Sequence, residues 1–217
     1  MALRVYNRFT GRKEEFKPVY DNRIGIYFCG ITVQGEPHMG HMLAFVAGDM
    51  IRRYLEYKGY EVSYIQNFTD VDDKIIDKAN DEGLDYQEIA QRNIDAYFDA
   101  AEKLHIREAT LYPKATEHIK EIIDLIQKLV DKDHAYAAGG DVYFRVRTFN
   151  EYGKLSKRRI DDLMSGARIA VGEHKDDPLD FALWKGAKPG EPAWDSPWGP
   201  GRPGWHIECS AMSEKEL

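Results

Sequence analysis

The 217-residue sequence has few cysteines, no long apolar run and no excess of positive charge. Its two cysteines, Cys29 and Cys209, lie near opposite ends of the chain. Two are too few for the disulfide framework of a small secreted protein. No apolar run approaches the roughly 20 residues that span a bilayer, and the polar segment after Met1–Arg4 is unlike a signal peptide. We therefore expect a cytoplasmic protein with no membrane association.

The formal net charge of −7 argues against a broad, nonspecific nucleic-acid surface. A local basic cluster at Lys154–Arg159 leaves a more specific contact with nucleic acid open. With 217 residues, of which 43% are apolar, the chain can form one substantial core or two smaller ones.

The first half of the sequence alternates between short β-rich runs and helix-like segments. Ile24–Cys29 and Val62–Gln66 have the composition of strands, and the segment between them is long enough for a right-handed β-α-β crossover. Two amphipathic stripes follow and are best explained as the core faces of helices. They comprise Ile89, Ile94, Tyr97, Phe98, Ala101 and Leu104, and then Ile119, Ile122, Ile123, Ile126, Leu129 and Val130. The pattern predicts an α/β protein with a Rossmann-like nucleotide-binding fold.

The pattern changes near His134. Apolar residues at alternating positions flank Gly139-Gly140, which predicts a β-hairpin, and Lys185–Gly204 is dense in Gly, Pro and Trp. We interpret residues 1–114 as the first part of the Rossmann-like domain, 115–200 as an inserted α+β region, and 201–217 as a return to the first domain.

The segment Pro37–His41 follows the first predicted strand and opens a helix-compatible stretch, Leu43–Tyr57. His38 and His41 are spaced i, i+3, so both imidazoles fall on one face of the first helical turn. Free backbone N–H groups and the helix dipole favour an anion there, and Gly40 leaves the backbone uncovered. One hypothesis is that the two histidines stabilise pyrophosphate leaving an attacked α-phosphorus. The alternative is a helix start with two partly exposed histidines.

Several further segments occur in an order that points to one family. They are Phe28–Val33, Asn67–Lys74, Pro113–Ile119, Tyr152–Ser156, Asp180–Lys185, Pro197–Gly199 and Gly204–Met212. Together with the His-x-Gly-His motif, they resemble the cysteinyl-tRNA synthetases, which are class I aminoacyl-tRNA synthetases. The resemblance implies a Rossmann-like class I catalytic fold of the HIGH type, interrupted by a connective-peptide insertion.

On the residues alone, Cys29 and Cys209 could either converge at a site in an open α/β sheet or be two unrelated buried thiols. The resemblance implies that they hold a zinc ion together with a later His and Glu, and that the open metal position receives the substrate thiol. Zinc favours thiolate and lowers the pKa of a bound thiol, so it can select cysteine over serine.

The resemblance also implies that Gly30 borders both ATP and cysteine, and that Thr69 and Trp205 border bound cysteine. Magnesium would accompany ATP as part of the substrate. Two alternatives stay open from the sequence: Thr69 could cap the following helix, and Trp205 could be a core residue. Asp70, Asp72 and Asp73 follow Thr69, but this segment lacks the glycine and the terminal glutamate of a Ca²⁺-binding loop. Asp72 is better explained as a capping or packing carboxylate.

Two departures from the family pattern concern the nucleotide and metal sites. Gln34, Gly35 and Leu43 replace a Tyr-Asp pair and a downstream Arg, which predicts an altered nucleotide pocket. The His-Gly-Gly-Gly, His-His-Glu-Asn and Lys-Met-Ser-Lys-Ser segments of the family are not among these 217 residues. With only two family ligands present, we expect weak or substoichiometric zinc binding unless His206, Glu208 or a neighbouring copy of the chain contributes a ligand.

Lys154–Arg158 superficially matches the Lys-Met-Ser-Lys-Ser loop. It precedes the Trp205 segment, whereas the catalytic loop of the family follows it. We therefore interpret Lys154–Arg158 as an exposed basic turn.

The predicted function is that of an ATP-dependent ligase that converts cysteine to cysteinyl adenylate and transfers it to tRNA(Cys). Catalysis would rest on positioning and charge stabilisation. Two alternatives are a noncatalytic binding or regulatory fragment and a ligase that joins cysteine to a small amine.

Overall fold

A computed structural model of the chain describes residues 2–160 and 174–217. In chain order, the elements are β1 (Arg4–Asn7), β2 (Arg12–Glu15), β3 (Arg23–Thr32), α1 (Met39–Tyr57), β4 (Glu61–Thr69), α2 (Asp73–Glu82), α3 (Tyr86–Lys103), α4 (Ile119–Asp131), β5 (Ala135–Ala138), β6 (Asp141–Phe144), β7 (Phe181–Gly186), β8 (Gly201–Pro203) and α5 (Ile207–Glu216).

The chain divides into two compact units, each named here for its sheet. The parallel unit comprises Pro18–Ile122 and Trp205–Leu217. The antiparallel unit comprises the described parts of Met1–Lys17 and Ile123–Gly204.

In the parallel unit, β3 and β4 pair in parallel and are joined through α1, which confirms the predicted β-α-β crossover. The register runs from Arg23 opposite Glu61 to Thr32 opposite Thr69. β4 is almost entirely buried towards its carboxyl end, as expected of an inner strand of a parallel sheet. Parallel bridges from β4 to Leu111 and Lys114 extend the sheet on its other side.

The core of the parallel unit lies between this sheet and helices α1 to α3. Its central aromatic residue is Tyr97, which is fully buried and meets Phe45 and Phe68 edge to face at 5.1 and 5.2 Å between ring centroids. The predicted stripe on α3 supplies Ile89, Ile94, Tyr97 and Ala101 to this core, whereas Leu104 is exposed. Helix α5 packs on β4, with Met212 fully buried.

The antiparallel unit contains the β1–β2 hairpin and a four-stranded sheet in the order β5-β6-β7-β8. The predicted hairpin at Gly139-Gly140 is confirmed: Ala138 pairs with Asp141 across a two-residue turn. Both turn glycines have positive φ, 66° and 90°, which L side chains rarely adopt. The second predicted stripe is confirmed as α4, which buries Ile122 and Ile126; its first residues, up to Ile122, belong to the parallel unit and the rest to the antiparallel unit.

The two units differ from the predicted domain limits at three places. Met1–Lys17 groups with the antiparallel unit, because Arg8 donates to the Ser156 carbonyl and Lys157 donates to the Phe9 carbonyl. Residues up to Ile122 stay in the parallel unit, and the chain returns to it at 205, because residues 201–203 pair as β8 with β7. The interpretation of 115–200 as an insertion stays a prediction.

The segment Lys154–Arg158 is exposed, and turns run through residues 151–157, which confirms the predicted basic turn. Among the helices of the two described segments, none combines the length and apolarity that a bilayer crossing requires.

Candidate functional site

The two cysteines converge in the parallel unit. Cys29 lies on β3 at an irregularity between Phe28 and Ile31, and Cys209 is the third residue of α5. Their Sγ atoms are 3.4 Å apart. That distance is far longer than a disulfide bond of about 2.05 Å and close to the roughly 3.8 Å between two thiolates on one tetrahedral zinc. The reading of two unrelated buried thiols is therefore wrong.

Gly30 makes this arrangement possible by allowing β3 to approach β4 closely. Its N–H donates to the Asn67 Oδ1 atom at 2.9 Å. A Cβ atom at position 30 would lie 1.6 Å from the Asn67 carbonyl oxygen, an impossible contact. Gly30 is thus required by the backbone packing beside Cys29, independently of any ligand.

His206 brings a third donor to the cysteine pair. One ligand atom from each of Cys29, His206 and Cys209 lies within 4.8 Å of the other two. Two thiolates and one imidazole form a donor set that suits zinc. The resemblance did not assign His206 as a ligand; its i, i+3 spacing to Cys209 at a helix start is the signal that could have found it.

The backbone of His206 is held in the left-handed region, with φ 73°, at the N-cap of α5. Such a conformation is uncommon for a residue other than glycine and often marks a functional position. The Trp205 ring stacks on the His206 imidazole with 4.1 Å between centroids. Trp205 itself is 61% exposed, so the alternative that it is a core residue is wrong.

The two thiols form a hydrogen bond with each other. A hydrogen bond from Cys209 lowers the pKa of Cys29 to about 7, against the opposing effect of burial. The same bond, followed by burial, raises the pKa of Cys209. One thiolate therefore forms near neutral pH while the second thiol keeps its proton, which a metal ion would displace on binding.

Thr69 lies at the end of β4 and is tied to Glu208 on α5. Its hydroxyl donates to Glu208 Oε1 at 3.2 Å and accepts from the Asn67 amide at 3.3 Å. Thr69 does not cap the next helix, so that alternative is wrong. The N-cap is Asp72, whose carboxylate accepts from the Lys74 N–H at 3.0 Å, which confirms the capping interpretation of Asp72.

Glu208 is a buried carboxyl group at the centre of the site. It is only 1% exposed, and its Oε2 atom has no hydrogen-bond partner in residues 2–160 and 174–217. Burial raises its pKa to about 7. Oε1 of Glu208 thus orients the Thr69 hydroxyl, whereas Oε2 accepts no hydrogen bond from any described residue.

The predicted helix start at His38 is confirmed, and the two histidines cap it reciprocally. His38 Nδ1 accepts from the backbone N–H groups of Gly40 and His41, at 3.1 and 3.4 Å, and His41 Nδ1 accepts from the His38 N–H. Their rings stack with centroids 3.7 Å apart. Because each Nδ1 accepts, a neutral ring carries its proton on Nε2. Burial and the neighbouring His38 lower the pKa of His41, which favours the neutral form.

These histidines therefore present two Nε2–H donors at the positive end of the α1 dipole, a combination that suits an anion. The prediction that the backbone N–H groups there are free is wrong for Gly40 and His41, because His38 Nδ1 accepts from both. No acidic side chain lies in the first turn of α1. Leu43, where the family has an arginine, is 69% exposed.

Comparison with known proteins identifies the chain. Residues 15–217 match the family described as tRNA synthetases class I (C) catalytic domain. The chain is 58% identical over 217 residues to a cysteine--tRNA ligase from Sulfurihydrogenibium sp. (strain YO3AOP1), covering 100% of this chain and 45% of the relative. It is 54% identical over 215 residues to the corresponding ligase of Dehalococcoides mccartyi (strain ATCC BAA-2266 / KCTC 15142 / 195), covering 99% and 47%. The chain thus spans about half the length of these curated relatives.

Among solved structures, Mycobacterium tuberculosis methionyl-tRNA synthetase in complex with methionyl-adenylate is similar with a TM-score of 0.59. The similarity covers 88% of this chain and 46% of that chain at 14% identity, and so concerns the fold. It supports the predicted Rossmann-like class I fold. The resemblance drawn from the sequence motifs is confirmed, and the chain belongs to the family of class I tRNA synthetase (C) catalytic domains, together with proteins named cysteine--tRNA ligase.

Proposed function

We propose that this chain is the cysteine- and ATP-binding portion of a cysteine--tRNA ligase. In the reaction, the cysteine carboxylate attacks the α-phosphorus of ATP, giving cysteinyl adenylate and pyrophosphate, and the 3′ hydroxyl of tRNA(Cys) then accepts the cysteinyl group. The observation that carries the proposal is the 3.4 Å approach of Cys29 and Cys209, with His206 as a third donor, beside Thr69. A cytoplasmic location would match the tRNA substrate.

Cys29, Cys209 and His206 fit a zinc ion by the chemistry of their donor atoms. When bound, zinc would supply an open position for the substrate thiol and lower the pKa of that thiol. Such a site distinguishes cysteine from serine far better than size alone.

Thr69, at the end of β4, and Trp205, just before α5, would border the proposed amino-acid pocket. Thr69 is fixed by its bonds to Asn67 and Glu208 and can therefore hold a ligand without losing further side-chain freedom. Trp205 is mostly exposed and stacks on His206, so its ring is available to cover a bound amino acid.

His38 and His41 would stabilise the charge that develops on pyrophosphate as it leaves. Their Nε2–H groups and the N-terminus of α1 supply oriented donors before the reaction begins, so little reorganisation is required. Gly40 keeps the backbone between them open. ATP would arrive with Mg²⁺ as part of the substrate.

Calorimetry with non-hydrolysable sulfamoyl-adenosine analogues tests this function without requiring turnover. We expect the cysteinyl analogue to bind the zinc-loaded chain more tightly than the seryl analogue, and we expect Cys209→Ser to remove the difference. Equal binding of the two analogues, or no binding, would contradict the proposal. L-cysteine-dependent ATP–pyrophosphate exchange then separates a ligase from a noncatalytic binding module.

A further inference from the structure

Asn67 has a fully buried side chain that nothing in the reaction described above uses. It lies on β4 two residues before Thr69, a spacing that places both side chains on the same face of the strand. Its Oδ1 atom accepts from the Gly30 N–H at 2.9 Å, and its Nδ2 atom donates to the Thr69 hydroxyl at 3.3 Å. One amide group therefore bonds both to the residue that follows Cys29 and to a residue of the proposed amino-acid pocket.

The partners of Asn67 fix the orientation of its amide group. The Gly30 N–H can only donate, so the atom that faces it is the oxygen, and the nitrogen must face Thr69. The Thr69 hydroxyl accepts that bond and donates its only proton to Glu208 Oε1 at 3.2 Å. Two bonds of opposite polarity thus hold the hydroxyl in one direction before a ligand binds, which lowers the entropic cost of binding.

Asn67 also contacts both of the segments that carry the cysteines. Its bond to Gly30 holds the backbone immediately after Cys29, at the irregularity in the pairing of β3 with β4. The Cys209 Sγ atom lies 3.9 Å from the same Oδ1 atom of Asn67. The placement of the two sulfur atoms relative to each other therefore depends on this amide group. Groups of this kind, one shell behind metal ligands, orient those ligands.

We propose that Asn67 is a positioning residue that couples the zinc ligands to the amino-acid pocket. Its side chain fixes the backbone next to Cys29 and the Thr69 hydroxyl relative to each other. This inference rests on the proposed function. It gives Asn67 a role that neither the motifs nor the comparison with relatives assigns to it.

Asn93 provides a matched control in the same unit. It is 1% exposed, and its Nδ2 atom donates to the carbonyl oxygens of Val33 and Ile89 at 3.0 and 2.9 Å. Neither carbonyl belongs to a residue of the proposed site. Asn67→Ala and Asn93→Ala therefore each remove a buried, bonded amide group, and only the first removes it from between Gly30 and Thr69.

Calorimetry with the cysteinyl sulfamoyl-adenosine analogue, at saturating zinc, tests the pocket side of this coupling. We expect Asn67→Ala to weaken binding of the analogue at least about tenfold, the usual scale for groups behind metal ligands. Asn93→Ala should bind within about twofold of the parent, even if urea unfolding shows that both variants lose similar stability. In a Thr69→Val background, Asn67→Ala should cost less affinity than it does alone, because part of its effect passes through Thr69.

Zinc affinity, measured by competition with a chelator, tests the metal side. We expect it to fall about tenfold in Asn67→Ala, because the backbone next to Cys29 loses its anchor, and to stay near the parent value in Asn93→Ala.

Asn67→Asp separates the two sides and serves as a second variant if Asn67→Ala does not fold. It keeps an oxygen for the Gly30 N–H and replaces the N–H group that faces Thr69. We expect it to fold and still to bind the analogue more weakly than the parent.

Two results are decisive. If the parent binds the cysteinyl analogue more tightly than the seryl analogue, but the Asn67 variants match Asn93→Ala in analogue and zinc affinity, the role of Asn67 is overturned and the proposed function stands. If the parent binds the two analogues equally, the proposed function fails, and the inference fails with it.

Discussion

The Sγ atoms of Cys29 and Cys209 lie 3.4 Å apart, although 180 residues separate them in the chain. The short distance between the two sulfur atoms depends on two local features. These are the close approach of β3 to β4 at Gly30 and the start of α5 immediately after His206, whose backbone is in the left-handed region. Each feature predicts a measurable consequence.

Gly30→Ala should destabilise the fold strongly, because the added Cβ would lie 1.6 Å from a backbone oxygen of β4 that cannot move without breaking the strand pair. We expect a loss of at least about 2 kcal/mol in the free energy of unfolding, the upper range for overpacking. Gly35→Ala is the matched control, because its Cβ would meet nothing within 4 Å. Urea unfolding of the two variants checks the prediction, and similar midpoints would show that β3 and β4 are not this close.

His38 combines two roles that substitutions can separate. His38→Ala removes both the helix cap and the ring donor, and we expect it to cost about 1 kcal/mol of stability as well as ligand binding. His38→Asn keeps a capping oxygen, so stability should stay near that of the parent while the ring donor is lost.

If adenylate formation is measurable, each of His38→Asn and His41→Ala should slow ATP–pyrophosphate exchange by on the order of 10²-fold, the scale of losing one oriented donor. Without measurable exchange, calorimetry should show weaker ATP binding. Unchanged exchange or binding in both variants would make the pair a structural cap only.

Glu208 should make stability depend on pH in an unusual direction. Its pKa is raised to about 7 from the ordinary value of 4.5, so the folded chain holds a proton that the unfolded chain releases. Its contribution is therefore fully present below pH 4.5 and is lost as the pH rises through 7. The loss is on the order of 3 kcal/mol.

Glu208→Gln should remove the part of the pH dependence that comes from Glu208 in metal-free urea unfolding between pH 5 and pH 8, leaving the part that comes from other groups such as Cys29, whose pKa is about 7. Glu82→Gln is the control: Arg92 and Lys78 lower the pKa of Glu82 to about 2, so Glu82 stays ionised across that range. An equal pH dependence for the parent and Glu208→Gln would show that Glu208 is already ionised in the folded chain.

His206 should contribute to metal affinity in the chain as it stands. His206→Ala removes the third donor of the cluster and should weaken zinc binding by tenfold or more, whereas His118→Ala should not, because His118 bonds to the Lys114 carbonyl and Glu216 instead. Chelator competition measures both variants. Equal zinc affinity for parent and His206→Ala would restore the expectation of a two-ligand, weakly binding site.

The sequence predicted most of the parallel unit, since periodicity and the His-x-Gly-His motif act locally. The β-α-β crossover and the helix start at His38 are examples. The sequence left His206 only as a possible ligand beside Glu208, because its position next to the two thiols depends on a left-handed backbone and on the distant Cys29. Residues 2–17 group with the antiparallel unit through distant partners such as Ser156, and a short, mostly exposed hairpin carries no local signal of such a partner.

Thr69 illustrates the same limit within the site. From the sequence, a threonine before three acidic residues could equally cap a helix or face a ligand. Its hydroxyl bonds to Glu208 on α5, which is 139 residues further along the chain, so no local pattern could predict this partner.

The most direct test of the account is the cobalt spectrum of the chain during titration with L-cysteine, with L-serine as the control. We expect sulfur-to-cobalt charge transfer from Cys29 and Cys209, an increase in that band when L-cysteine adds its thiol, and no increase with L-serine. Absence of the band in the parent, or an identical response to the two amino acids, would contradict the claim that this cysteine pair holds a metal that selects cysteine.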